Sequence, residues 1–184
     1  MKISRIISLT ILILAVTALL MALWPPGAAR IPASEQSARS FDEKITSLAL
    51  AHQGGSAQVA HITETELTSK LEESIDEAAS AGGNVHLKAV SLHLEDYEFV
   101  GIFTVSVYGK DLYMTLAGTL GVADGRLQVQ LSGAKLGRLP IPALAFRRRL
   151  EGQLGSSESG DPLRLPDFIK DVHIENSELL VQAR

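Results

Sequence analysis

The chain has 184 residues, of which 21% are charged and 5% aromatic, with a formal net charge of −4. It contains no cysteine, which excludes a disulfide framework, a thiol nucleophile, cysteine-bound zinc and an acylated lipoprotein cysteine. The mildly acidic balance also argues against nucleic acid as a partner.

The first element is apolar. Ile6–Trp24 is a run of nineteen uncharged residues, ten of them Leu or Ile. As a helix it rises about 1.5 Å per residue and nearly matches a hydrocarbon core of about 30 Å. Trp24 stands where an interfacial aromatic belongs. Lys2 and Arg5 precede the run, while Arg30 and Arg39 follow it, a shallow bias toward an inside N-terminus. The competing reading is a cleaved signal peptide, with Gly27-Ala28-Ala29 as the small-residue site. The apolar run exceeds the roughly 7–15 residues usual for a signal. The expected organisation is an anchor (or uncleaved signal) over 1–24, a linker over 25–40 and an extracytoplasmic domain over 41–184. This places the chain at the cell membrane as a single-pass protein held through Ile6–Trp24.

Pro25 to Arg39, rich in Pro, Ala and Ser and without periodicity, predicts a tether. Ser40 with Glu43 predicts the start of a short helix ending near His52, before Gly54-Gly55. "AQVAHI" predicts a short strand. Thr63 and Glu66 then form a capping box, with Ile62 and Leu67 at the two positions of a hydrophobic staple. The helix they open should run to about Ser80, with Leu67, Leu71, Ile75 and Ala78 as an apolar stripe opposite Glu64, Glu72, Glu73, Asp76 and Glu77.

An alternating region follows. Val85, Leu87 and Ala89 lie in one phase and Val90, Leu92 and Leu94 in the other, which predicts a β-bulge near Ala89 and Val90. Three further strands place Phe103, Val105 and Val107, then Leu112, Met114, Leu116 and Leu120, then Leu127, Val129 and Leu131 on one face. Asp124-Gly125 predicts a two-residue primed turn and Gly109-Lys110-Asp111 a slightly longer one. At "LGRLPIP" Gly137 ends the fourth strand, Pro140 forbids continued pairing and Pro142 suits the first turn of a helix carrying Arg147, Arg148 and Arg149. A last strand pair spans about Asp171 to Glu175 and Glu178 to Gln182, joined at Asn176-Ser177. The fold class is α+β: a curved antiparallel meander of about five to seven strands packed against one or two amphipathic helices.

An apolar N-terminal segment, "ITETEL" opening an amphipathic helix, a twisted meander and "LGRLPIP" leading into a helix follow one another in an order that resembles the YpmS-like family of bacterial single-pass membrane proteins. More loosely, it is similar to LmeA-like exported lipid-associated proteins. The resemblance covers roughly Gln58 to Leu154 and the anchor. It implies an extracytoplasmic domain with a long sheet curved around a helix, similar to folds that hold lipid or another apolar ligand, and it carries over no catalytic residues.

Chemistry is sparse in the sequence. His86, Lys88, Ser91, His93 and Glu95 share the polar face of one strand, read as a solvated face, and His173 should also point outward. No helical His-x-x-x-His, Gly-x-Ser-x-Gly elbow or phosphate-cradling glycine loop occurs. The expectation is a non-enzymatic chain without metal or cofactor. The candidate ligand-binding residues are Leu67, Leu71, Ile75, Phe103, Leu112, Met114 and Leu116, which would line a groove between sheet and helix or else pack as solid core. Arg147, Arg148 and Arg149 are either a solvated helix face paired with the acidic helix or a site for anionic headgroups, worth about 1 kcal/mol each near a charged surface. The partners are thus the membrane and a candidate lipid. The rival class is an interaction module with a filled core and a protein partner in an envelope or cell-wall complex.

Overall fold

The computed structural model describes residues 16–17, 20–22, 24–25, 27, 29–79, 85–142 and 164–184. Most of the Ile6–Trp24 segment, the helix expected after Pro142 and Arg147, Arg148 and Arg149 lie outside the described residues. Among the described residues no helix is long and apolar enough to cross a membrane.

The fold is α+β. Helices α1 (Glu35–Gln53) and α2 (Glu64–Ala79) accompany eight strands: β1 (Val59–Ile62), β2 (Val85–Glu95), β3 (Glu98–Val107), β4 (Lys110–Ala123), β5 (Arg126–Leu136), β6 (Leu139–Ile141), β7 (Ile169–Glu175) and β8 (Glu178–Ala183). Strands β2 to β6 form a five-stranded antiparallel meander, and β1, β8 and β7 form a second sheet in that order. The five strands of the meander fall within the expected count, and the second sheet is an addition to it. The C-terminal hairpin does not extend the large sheet; it pairs with β1 through β8, Ala60 opposite Val181 and Ile62 opposite Leu179. Alternation alone does not say which edge a hairpin joins, because β1 and β8 each bury every second residue and fit any apolar-faced neighbour.

Helix α1 begins earlier than Ser40 and Glu43 suggest. Ser34 is its cap, accepting from the Ser37 N–H at 3.1 Å. Ala38, Phe41, Ile45 and Leu48 follow at helical spacing, and Leu48 is fully buried. That stripe packs α1 on α2, β1 and β8. The segment expected to be a free tether is strapped down. Ile31 is buried with its N–H on Ser91 Oγ at 3.3 Å, Ser34 N–H reaches Ser69 Oγ at 3.0 Å, and Arg30 pairs with Glu72 at 2.9 Å. Ser91 is accordingly buried, not on a solvated face.

Helix α2 forms where its capping box places it. Thr63 N–H donates to Glu66 Oε2 at 2.9 Å and Glu66 N–H to Thr63 Oγ1 at 3.3 Å. The helix lies along β2, the edge of the large sheet. Thr68 Oγ1 accepts the outward N–H of Leu92 at 3.0 Å, and Glu64 Oε1 that of Leu94 at 2.6 Å. Two edge donors that would otherwise recruit another strand are thereby satisfied.

The large sheet carries its predicted apolar face, and on the opposite face Ala89, Ser91 and Ile102 are buried as well. Leu92 stands beside Gly101, Leu116 and Ala134, and Val90 beside Phe103, Met114 and Leu136. The bulge in β2 falls at Lys88, one residue before the predicted phase change, and a second places Ser132 of β5 out of the ladder opposite Ala117 and Gly118. Asp124-Gly125 is the primed turn expected, both residues having positive φ. The β3–β4 turn is shorter than expected: Tyr108-Gly109 makes it alone, with Val107 paired to Lys110. Pro140 does not end pairing. The chain reverses at Gly137-Arg138, and β6 returns along β5 with Pro140 opposite Lys135. β6 is the sheet's outer strand, where a proline lacking a donor is tolerated.

Candidate functional site

The main core lies where the small sheet covers one end of the large one. Leu92, Leu94 and Phe99 meet Val172, Ile174, Leu179 and Val181 there, together with Leu48 of α1. Packing is incomplete on one flank, where a groove of about 310 Å³ with a wholly apolar lining remains. Phe41 and Ile45 of α1 and Leu67 of α2 form its helical wall. Leu92, Phe99, Leu120, Leu127 and Val129 form the wall from the large sheet, and Ile169, Val172, Leu179 and Val181 that from the small one. Val129 is 42% exposed, so the groove reaches the surface.

The helical wall is held by one carboxylate. Glu66 Oε2 takes Lys44 Nζ at 2.8 Å in addition to the cap bond from Thr63, and Oε1 takes the Ser40 hydroxyl at 2.5 Å. Burial by itself raises the carboxyl pKa, but the hydrogen bonds from Lys44, Ser40 and Thr63 outweigh it and bring it from 4.5 to about 2. Ser40, expected as a cap, thus ties α1 to α2. On the outer side of the same helix pair Lys70 bridges Asp42 and Glu73, both at 2.8 Å, and these bonds raise its ammonium above the ordinary range.

Of the seven predicted ligand-binding residues, Leu67 alone lines this groove. Leu71, one turn further along α2, is 36% exposed, and Ile75 is half-buried. Phe103, Leu112 and Met114 are half-buried and Leu116 is buried. These four lie on the same sheet face as the groove but toward the β6 corner, with Phe103 opposite Met114 and packed over Gly101. Sequence reading missed Phe41, Ile45 and the β7–β8 residues. The α1 stripe was a signal that could have found the first two.

The histidines are dispersed. His86 is exposed, His61 pairs with Glu178 at 2.8 Å, and His52 Nδ1 lies 3.2 Å from the Arg184 main-chain oxygen. His173 contacts Asp171 at 3.0 Å and Glu175 at 3.7 Å on the outer face of β7. His93 is half-buried and its Nε2 is fully enclosed without a hydrogen-bond partner. Among the described residues no group of three or more His, Asp or Glu side chains is placed to hold a metal. Compared with protein families, with characterised proteins and with solved structures, the chain finds no match.

Proposed function

We propose that this is a membrane-tethered extracytoplasmic, non-enzymatic domain that binds a lipid or other apolar ligand between its sheets and helices. The observation that carries this reading is the groove of about 310 Å³ without a polar atom in its lining. Small-molecule sites begin at about 300 Å³ and are lined mainly by apolar side chains. At roughly the volume a water molecule occupies, ~30 Å³ per methylene, such a space takes one chain of about ten carbons. The nineteen uncharged residues of Ile6–Trp24 support the tether and the single-pass topology with the N-terminus inside. The resemblance to the YpmS-like family points the same way.

Native mass spectrometry of the full chain, released from its own membranes, tests the proposal. A co-purifying apolar molecule that is lost in an Ile45→Trp variant of unchanged stability is the expected result. A ligand-free chain that also fails to bind a fluorescent fatty acid removes the reading and leaves a filled-core interaction module.

A further inference from the structure

Leu165 lines the apolar groove and also lines an adjoining basin of about 750 Å³. The basin is walled by the β4–β5 turn, the chain entering β7 and the end of β8. It brings together Arg126, Arg164, Lys170 and Arg184, against the carboxylates of Asp124 and Asp167. Positive side chains therefore predominate here in a chain whose net charge is −4. The main-chain oxygen of Arg184 lies 3.2 Å from His52 Nδ1. Among the described residues neither Arg164 nor Lys170 makes an ion pair, and both are exposed.

The placement of the arginines is itself informative. Arg126 and Arg164 are partners in an antiparallel bridge, fixed by the Leu165 N–H donating to Gly125 at 3.0 Å. That bridge fixes Arg164 beside Lys170 at the rim of the basin, and a guanidinium fork matches the geometry of a phosphate.

We infer that the basin is a headgroup site, and that the ligand is a single-chain anionic phospholipid whose acyl chain fills the groove and whose phosphate lies at Arg164 and Lys170. This deepens the groove reading and rests on it. The groove admits one chain and not two, and a guanidinium beside an ammonium suits a phosphate ester.

The test uses the full chain in nanodiscs and two photoreactive probes with the same diazirine-bearing acyl chain: a lysophosphatidate and the neutral monoacylglycerol. Crosslinked peptides are mapped by mass spectrometry. The expected result is lysophosphatidate labelling at α1, β5 or β7, reduced about 25-fold or more in an Arg164→Glu/Lys170→Glu double variant, since each positive charge near an anionic group is worth about a factor of five. Monoacylglycerol labelling should be weaker and unaffected. The single variants R164Q and K170Q, milder for folding, should each reduce lysophosphatidate labelling severalfold. Equal labelling by both probes, insensitive to all of these variants, overturns the headgroup site but leaves the groove. Absence of either label from groove peptides overturns the groove and the headgroup site together.

Discussion

Replacing Glu66 by Gln removes one negative charge while preserving side-chain size, and its consequence follows from the hydrogen bonds around it. The carboxylate accepts from Lys44, Ser40 and Thr63, and its pKa falls from 4.5 to about 2. At about 1.4 kcal/mol per pH unit, that difference amounts to about 3 kcal/mol of stability. Because the folded-state pKa is depressed, the contribution is fully present above about pH 4.5 and is lost as pH falls toward about 2. Gln keeps one acceptor oxygen but turns an amide donor toward either Lys44 or Ser40. The expected cost at neutral pH is about 2–3 kcal/mol, or roughly 4–12 °C in Tm for a chain of this size. Urea unfolding of the full chain, followed by the circular dichroism of its sheets at neutral pH and in acid, measures both quantities. The difference between the two proteins should shrink toward zero near pH 2. A loss under about 0.5 kcal/mol at neutral pH would mean that Glu66 behaves as an exposed surface pair, and the reasoning would fail. So would a difference that stays constant across the acid range.

Thr68→Val keeps the shape of a fully buried side chain but leaves the Leu92 N–H without its acceptor, and should cost about 1–3 kcal/mol in the same unfolding measurement. Gly118→Ala should destabilise by about 1–3 kcal/mol, because a Cβ there collides with the Gln130 carbonyl across the β5 bulge; Gly121→Ala, with open space around it, should fall within about 1 kcal/mol of the parent. His93→Leu removes an enclosed, unpartnered ring nitrogen, so its thermal midpoint should equal or exceed that of the parent; a clear fall would show that the imidazole has a partner in solution. Val172→Ala enlarges the groove at its small-sheet wall and should cost about 1–3 kcal/mol in the unfolding measurement while preserving binding of a fluorescent fatty acid, which Ile45→Trp should abolish.

The elements were legible in the sequence wherever a local signal set them. Thr63 and Glu66 fixed the start of α2 because the capping box is complete within four residues. Asp124-Gly125 fixed a hairpin because both residues adopt positive φ. The start of α1 was missed because Ser34 and Ser40 are equally good caps in isolation. The buried Ala38, which makes the longer helix worthwhile, carries no conspicuous label. The candidate site was much less legible. Its walls come from Phe41 to Ile45, Ile62 to Leu67, Leu92 to Phe99, Leu120 to Val129 and Leu165 to Val181, and the register β1–β8 is what joins the last of these to the rest. Leu112 and Met114 have the same pattern as Leu120, yet only Leu120 lies under the small sheet. Periodicity identifies a face; it does not say which part of that face a distant hairpin will cover.

The two ends of β5 impose a direction on the proposed function. At one end the β5–β6 turn holds the end of the N-terminal apolar segment: Arg138 N–H donates to Met21 at 2.8 Å, its guanidinium lies 5.1 Å from the Trp24 ring centroid, and Gly137 packs against Met21 and Ala22 so closely that no Cβ fits. At the other end Arg126 enters the basic basin. Eleven residues of extended chain separate the ends by about 33 Å. If Ile6–Trp24 spans the bilayer, the β6 corner rests near the membrane surface and the basin faces away from it. Were β5 to stand along the membrane normal, that distance would exceed the Debye length of about 8 Å at physiological salt several times over, and the anchoring membrane's charge would not reach the basin. In that orientation a phosphate in the basin would be bound by its own contacts, on the side opposite the anchor. That arrangement would suit the proposed role of a domain that holds one lipid clear of its own membrane.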